Sequence, residues 1–171
     1  LIYCVLTVTL GLILWIGPLP LYEAVCHSLS TVSTGGFTSC TDTTGAWSSM
    51  AVRIPVIIFM FLGGVNFVLI YRASLGQMRK VWSDINFRSY VITALLASLF
   101  ISGVLLLGGE RGIEEIVVDP LFQVVSTITS TGYTVDSLSS WSEAVIPVLL
   151  VLMLMGACAG FRFDEIQGKF Q

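Results

Sequence analysis

With 171 residues, 55% of them hydrophobic and only 11% charged, and a mean hydropathy of +0.90, the chain lies far outside the balance of a water-soluble domain. A membrane protein is expected, with the lipid bilayer as its main surroundings and no nucleic-acid partner. The net charge of −3 becomes informative only when it is divided along the chain.

Four apolar segments, Leu1 to Ile16, Met50 to Ile70, Tyr90 to Leu107 and Ala144 to Ala159, are read as membrane spans against a requirement of about 20 residues. The first begins without Met, lacks a basic leader and precedes no small-residue cleavage site, so a truncated span of a longer protein is expected rather than a signal peptide. Gly17-Pro18-Leu19-Pro20 ends it, because each proline removes a donor and restrains the residue before it. A short helix is predicted from about Leu21 to Ser33, with the negative end of its dipole favouring a cation beyond it. His27 on this helix is expected to be structural rather than a pH sensor. After an outer loop from Ser39 to Ser49, Trp47 is placed as an interfacial anchor. The second span returns inward. Arg53 near its outer end is expected to snorkel, and Gly63-Gly64 to permit close helix packing. Asn66 stays open between a cross-helix hydrogen bond and a cavity-lining ligand.

Tyr71 to Arg88 forms a basic connection, and the third span runs outward to a break at Gly108-Gly109. Glu110 to Val118 follows as an acidic outer segment. Asp119-Pro120 is predicted to start a second short helix, with a capping side chain and a proline in the first turn. Trp141 repeats the place of Trp47, and Ile146-Pro147 that of Ile54-Pro55, before the last span.

The strongest signal is a repeat. Ser30-Thr31-Val32-Ser33-Thr34-Gly35-Gly36-Phe37-Thr38 recurs as Ser126-Thr127-Ile128-Thr129-Ser130-Thr131-Gly132-Tyr133-Thr134. Both copies are too short and polar to span a bilayer, and each lies between a short helix and a full span, which describes a re-entrant pore loop. A dehydrated cation needs carbonyl oxygens in place of its water, and glycine lets the backbone turn them toward an axis without interference from a Cβ. Thr34-Gly35-Gly36-Phe37 and Ser130-Thr131-Gly132-Tyr133 are degenerate versions of the potassium-filter pattern Thr-Val-Gly-Tyr.

Charge sets the orientation. Arg72, Arg79, Lys80 and Arg88 stand between the second and third spans against the single acid Asp84, whereas Glu23, Asp42, Glu110, Glu114, Glu115, Asp119, Asp136 and Glu143 accompany the filter segments. By the positive-inside rule the connection at 73–88 is cytoplasmic and both filters enter from outside. The expected fold is an all-α membrane protein made of two parallel repeats of transmembrane helix, re-entrant pore helix, selectivity filter and transmembrane helix. Its expected parts are a first unit at 1–72, the connection at 73–88, a second unit at 89–160 and a tail at 161–171.

These filters, their helices and Leu62-Gly63-Gly64-Val65-Asn66-Phe67 resemble the Trk/Ktr/HKT superfamily of potassium transporters, its bacterial TrkH branch above all, over residues 1 to about 160. In that family four consecutive span-pore-span units surround one potassium path. His27 to Phe37 resembles the second unit and Phe122 to Tyr133 the third. The resemblance implies that Gly36 and Gly132 are the filter glycines, that Thr34, Gly35, Ser130 and Thr131 supply carbonyl donors, and that Phe37 and Tyr133 complete the two filters. It also implies a candidate gate at Gly156, Ala157, Cys158, Ala159 and Gly160, although Phe161-Arg162-Phe163-Asp164-Glu165 then departs from the family's run of Ser, Thr and Gly. By resemblance the partners are the remaining pore units and a cytoplasmic nucleotide-binding regulatory subunit, in the bacterial inner membrane.

The function expected is potassium uptake through a partial pore, with potassium as the transported ion and sodium or protons as candidates for coupling. Two other readings stay open, a homodimeric two-plus-two channel and a non-conducting fragment or assembly module. No cofactor is expected. The four cysteines show no metal-binding or disulfide spacing, the spans contain no Asp or Glu, and no nucleotide or metalloenzyme motif appears, so an enzyme is not expected.

Overall fold

A computed structural model describes residues 2–38, 49–65, 67–107, 113–134, 141 and 144–157. The regular structure among them is helical: α1 (Ile2–Ile16), α2 (Leu21–Val32), α3 (Met50–Gly64), α4 (Phe67–Ser74), α5 (Met78–Trp82), α6 (Ile85–Leu107), α7 (Ile113–Ile128) and α8 (Val145–Ala157). α2 packs on α1 and α3, and α7 on α6 and α8, while α3 also packs on α7 and joins the two halves.

Polarity is arranged from the inside out. His27, Ser28, Ser30, Thr31, Gln123, Ser126, Thr129 and Thr131 are buried, whereas Val5, Val8 and Leu12 of α1, Leu95, Leu96 and Leu99 of α6 and Val151, Met153 and Leu154 of α8 are exposed. An apolar exterior of this extent suits lipid, where hydrocarbon takes the place of water around the helices. Within α6, Ile85–Leu106 is long and apolar enough to cross a membrane, and α1, α3 and α8 are shorter apolar helices. One core cluster gathers Leu10, Leu14, Val52, Val56 and Met60 around Phe122, Val125 and Tyr133 from the second half. The other joins Ala94, Ile101, Val124, Val145 and Leu149.

Five expectations need correction. The predicted span Met50 to Ile70 is not one helix. It stops at Gly64, and Val65 is extended at φ −84°, ψ 145°. The glycine pair is a weak helix former, and its lack of side chains lets the end of α3 approach α2: a Cβ on Gly63 would stand 3.1 Å from the Val32 carbonyl oxygen. Secondly, α6 begins at Ile85, before the predicted Tyr90, because Asp84 caps it. The Phe87 amide donates to Asp84 Oδ1 at 3.1 Å, and the Arg88 amide to the Asp84 carbonyl at 3.1 Å, as an N-cap requires.

Asp119 is not the cap of the second short helix. α7 starts at Ile113 and carries Pro120 in its interior, and the Asp119 carboxylate instead accepts from Arg53 Nη1 at 2.6 Å. That same bond corrects the snorkelling expected of Arg53, since the guanidinium turns to a buried carboxylate of the second half rather than to the outer water. Trp141 is not an interfacial anchor either, because it is buried in the second core cluster. Trp47, Asn66 and Gly108-Gly109 lie outside the described residues.

Candidate selectivity filter

Each candidate filter grows from the end of a short helix in the same way. At the end of α2 the Gly35 amide donates to the Ser30 carbonyl at 2.8 Å and the Thr34 amide to the Thr31 carbonyl at 3.1 Å. At the end of α7 the Thr131 amide donates to the Ser126 carbonyl at 2.9 Å and the Ser130 amide to the Thr127 carbonyl at 3.1 Å. These paired bonds are Schellman caps, which need a left-handed residue just past the helix. Thr34 and Ser130 take that conformation at φ 52° and 58°, and two residues later Gly36 and Gly132 have φ 70° and 84°. A side chain in the left-handed region costs about 1–2 kcal/mol, so both copies hold one strained hydroxyl residue and one glycine at matching places.

Serine hydroxyls tie the far end of each strand back to its helix. Ser30 Oγ accepts from the Phe37 amide at 2.7 Å. Ser126 Oγ, the equivalent atom in the second copy, donates to the Tyr133 carbonyl at 2.7 Å. The repeat held this signal, since Ser30 and Ser126 are identical across the two copies, but the sequence reading took them only as pore-helix residues.

Tyr133 also crosses between the halves. Its hydroxyl donates to the Phe37 carbonyl at 3.3 Å and accepts from Thr31 Oγ1 at 3.4 Å, and its ring meets His27 edge-on, with centroids 6.5 Å apart. His27 is fully buried there. The two strands touch directly as well, because a Cβ added to Gly36 would collide with the Thr131 carbonyl oxygen, leaving room for glycine alone.

The carbonyls divide into two sets. Those of Phe37 and Tyr133 accept protein hydroxyls. Those of Thr34, Gly35, Gly36, Ser130, Thr131 and Gly132 accept no hydrogen bond among the described residues. Gly35, Ser130 and Gly132 are exposed, and beside the carbonyl ends of α2 and α7 this run of oxygens offers concentrated partial negative charge to a cation.

Of the candidate gate, Gly156 and Ala157 lie in the last turn of α8, and Cys158, Ala159 and Gly160 lie outside the described residues. A Cβ on Gly156 would collide with the Ile128 carbonyl oxygen, the equivalent of the Val32 oxygen that faces Gly63. Each post-filter helix thus sets a glycine against the last carbonyl of its short helix.

The profile of the TrkH family, described as a cation transport protein, matches residues 3–161. The Trk system potassium uptake protein TrkH of Salmonella typhimurium is 33% identical over 164 residues, a stretch covering 94% of this chain and 34% of that protein. Its counterpart in Escherichia coli K12 is 30% identical over 162 residues, with 94% and 34% covered. The crystal structure of the potassium transporter TrkH from Vibrio parahaemolyticus is similar with a TM-score of 0.82 and 28% identity, across 88% of this chain and 33% of that one. The chain therefore spans about a third of the length of the curated relatives it matches.

Proposed function

The chain belongs to the TrkH family of cation transport proteins, and on that footing we propose that it forms two adjacent sectors of a potassium pathway in the bacterial inner membrane. The observation that carries this reading is the set of six backbone carbonyls, at Thr34, Gly35, Gly36 and Ser130, Thr131, Gly132, that accept no hydrogen bond among the described residues. Gly35, Ser130 and Gly132 are exposed and Thr34 and Gly36 half-buried, so these oxygens are open to an ion that exchanges part of its water for backbone carbonyls. Phe37 and Tyr133, whose carbonyls are already bonded, act as struts that hold the strands rather than as ion ligands.

Potassium is the ion by two supports, the filter pattern and the potassium uptake proteins that share about a third of this sequence. The ion moves passively or together with sodium or protons. By the family resemblance Gly156 to Gly160 is assigned as the gate, since a run of small residues lets a constriction open without steric clash. The remaining sectors come from further span-pore-span units, and a cytoplasmic nucleotide-binding subunit regulates the assembly.

The test is growth of a strain lacking potassium uptake, on limiting potassium, when it expresses the full-length polypeptide that contains this chain. Restored growth with rubidium or potassium influx is expected. Normal expression in the membrane with no influx would remove the transport reading.

A further inference from the structure

The contact between the two repeats uses different faces of each. In register, 96 residues apart, Glu23 corresponds to Asp119, Gly36 to Gly132 and Phe37 to Tyr133, while the shared Ile-Pro pairs set Arg53 against Val145. The first repeat contributes a cation on its post-filter helix, Arg53, and a filter glycine, Gly36. The second contributes an acid on its pore helix, Asp119, and a filter aromatic, Tyr133. Arg53 pairs with Asp119 at 2.6 Å with side chains 16% and 11% exposed, the Thr131 carbonyl closes over Gly36, and Tyr133 is 2% exposed.

The outward faces hold the complementary halves of the same contact. On the first repeat, Glu23 has no arginine or lysine paired with it among the described residues, and Phe37 is 80% exposed. On the second, nothing lies within 4 Å of a Cβ added to Gly132, but the place of Arg53 is taken by Val145, which is buried in its own core cluster.

We propose that Glu23 and Phe37 form a docking face for another span-pore-span unit whose post-filter helix carries an arginine or lysine in its first two turns. A second copy of this chain does not fit this face, since it would present Val145 to Glu23 and leave a carboxylate at membrane depth without a cation. The partner's filter glycine lies under the backbone beside Phe37, as Gly36 lies under Thr131. Phe37 lacks the hydroxyl of Tyr133, so its contact is apolar. The assignment rests on the pore reading for the presence of further units, and on the Arg53–Asp119 junction for their chemistry.

The experiment uses the full-length polypeptide. Glu23→Lys is expected to lower potassium influx at least about tenfold, since breaking a buried pair also sets like charges together, and to lower the melting temperature in detergent. Glu23→Gln should do both to a smaller degree. Acidic residues are then placed singly along the first two turns of the preceding unit's post-filter helix, and one position should restore the Glu23→Lys protein in both readouts. Normal melting and influx in both Glu23 variants, no restoring position, or restoration by Val145→Glu in a co-expressed second copy would overturn the proposal. If the unaltered protein carries no potassium, the pore reading fails by itself, while melting and its restoration still decide the docking face.

Discussion

Gly36 and Gly132 share a sequence pattern and a positive φ but differ in surroundings. At Gly36 a side chain meets backbone, the Thr131 carbonyl oxygen, so a substitution there displaces one strand against the other. In the complete protein, Gly36→Ser is expected to lower the potassium-to-sodium permeability ratio severalfold while the fold persists, and an unchanged reversal potential in mixed salts would contradict it. Tyr133→Phe is a milder probe, for it removes one hydroxyl from between Phe37 and Thr31. The Phe37 carbonyl loses its donor, at a cost of about 1 kcal/mol. Selectivity should weaken with little change in melting temperature; equal selectivity in the two proteins would show that the strut is idle. The glycines were legible in the sequence because a doubled motif points to its invariant members. The strut was not, since a tyrosine aligned with a phenylalanine does not tell which neighbour its hydroxyl reaches 96 residues away.

Helix positions followed from the sequence where prolines and apolar runs marked them, as at α1 and α2. They were misplaced where a polar side chain had two possible employments. Asp119-Pro120 reads as a helix start, yet the carboxylate serves Arg53 across the repeat junction, while Asp84, read only as a stray acid among bases, caps α6. Local sequence cannot rank a cap against a partner supplied by another helix. Asp84→Ala is expected to destabilise α6 by about 1 kcal/mol, a typical loss for a cap, visible as faster hydrogen exchange at the amides of 86–88. A double-mutant cycle on Arg53→Ala and Asp119→Ala should return a coupling energy above about 1 kcal/mol, given how little water reaches the pair; additive effects on melting would show the two groups to be independent. Orientation is tested on the basic connection. A single cysteine at Gly76 should resist an impermeant thiol reagent in intact cells and react after permeabilisation, as Lys/Arg-rich loops on the cytoplasmic side do.

At the scale of the molecule, on the proposed pore reading, two strands can offer oxygens to an ion from two directions only. The other directions would be lipid or bulk water, and a dehydrated cation so placed is unfavourable by at least about several kcal/mol. Chains expressed without the rest of the polypeptide are therefore expected to give no potassium flux in liposomes. Flux from particles shown to be monomeric by mass in nanodiscs would refute the need for further sectors. The number of repeats within the chain was readable from its sequence, since spacing and hydropathy are local. The manner of their contact was not, because the two repeats engage through unlike faces.

That unlikeness gives the junction a direction. Its contact is heterologous in the sense used for subunit assembly, head to tail rather than face to matching face, and such contacts either close into rings or run on as helical filaments. A filament requires each step to advance along an axis, and within a bilayer an advance would carry the apolar exteriors of α1, α6 and α8 out of hydrocarbon. On the proposed pore reading, with units side by side around an axis along the membrane normal, the lipid thereby selects the closed form. The unlikeness also fixes the order of the two repeats at the junction, since reversing the second would set Arg53 against Val145, a buried apolar side chain with no carboxylate to offer.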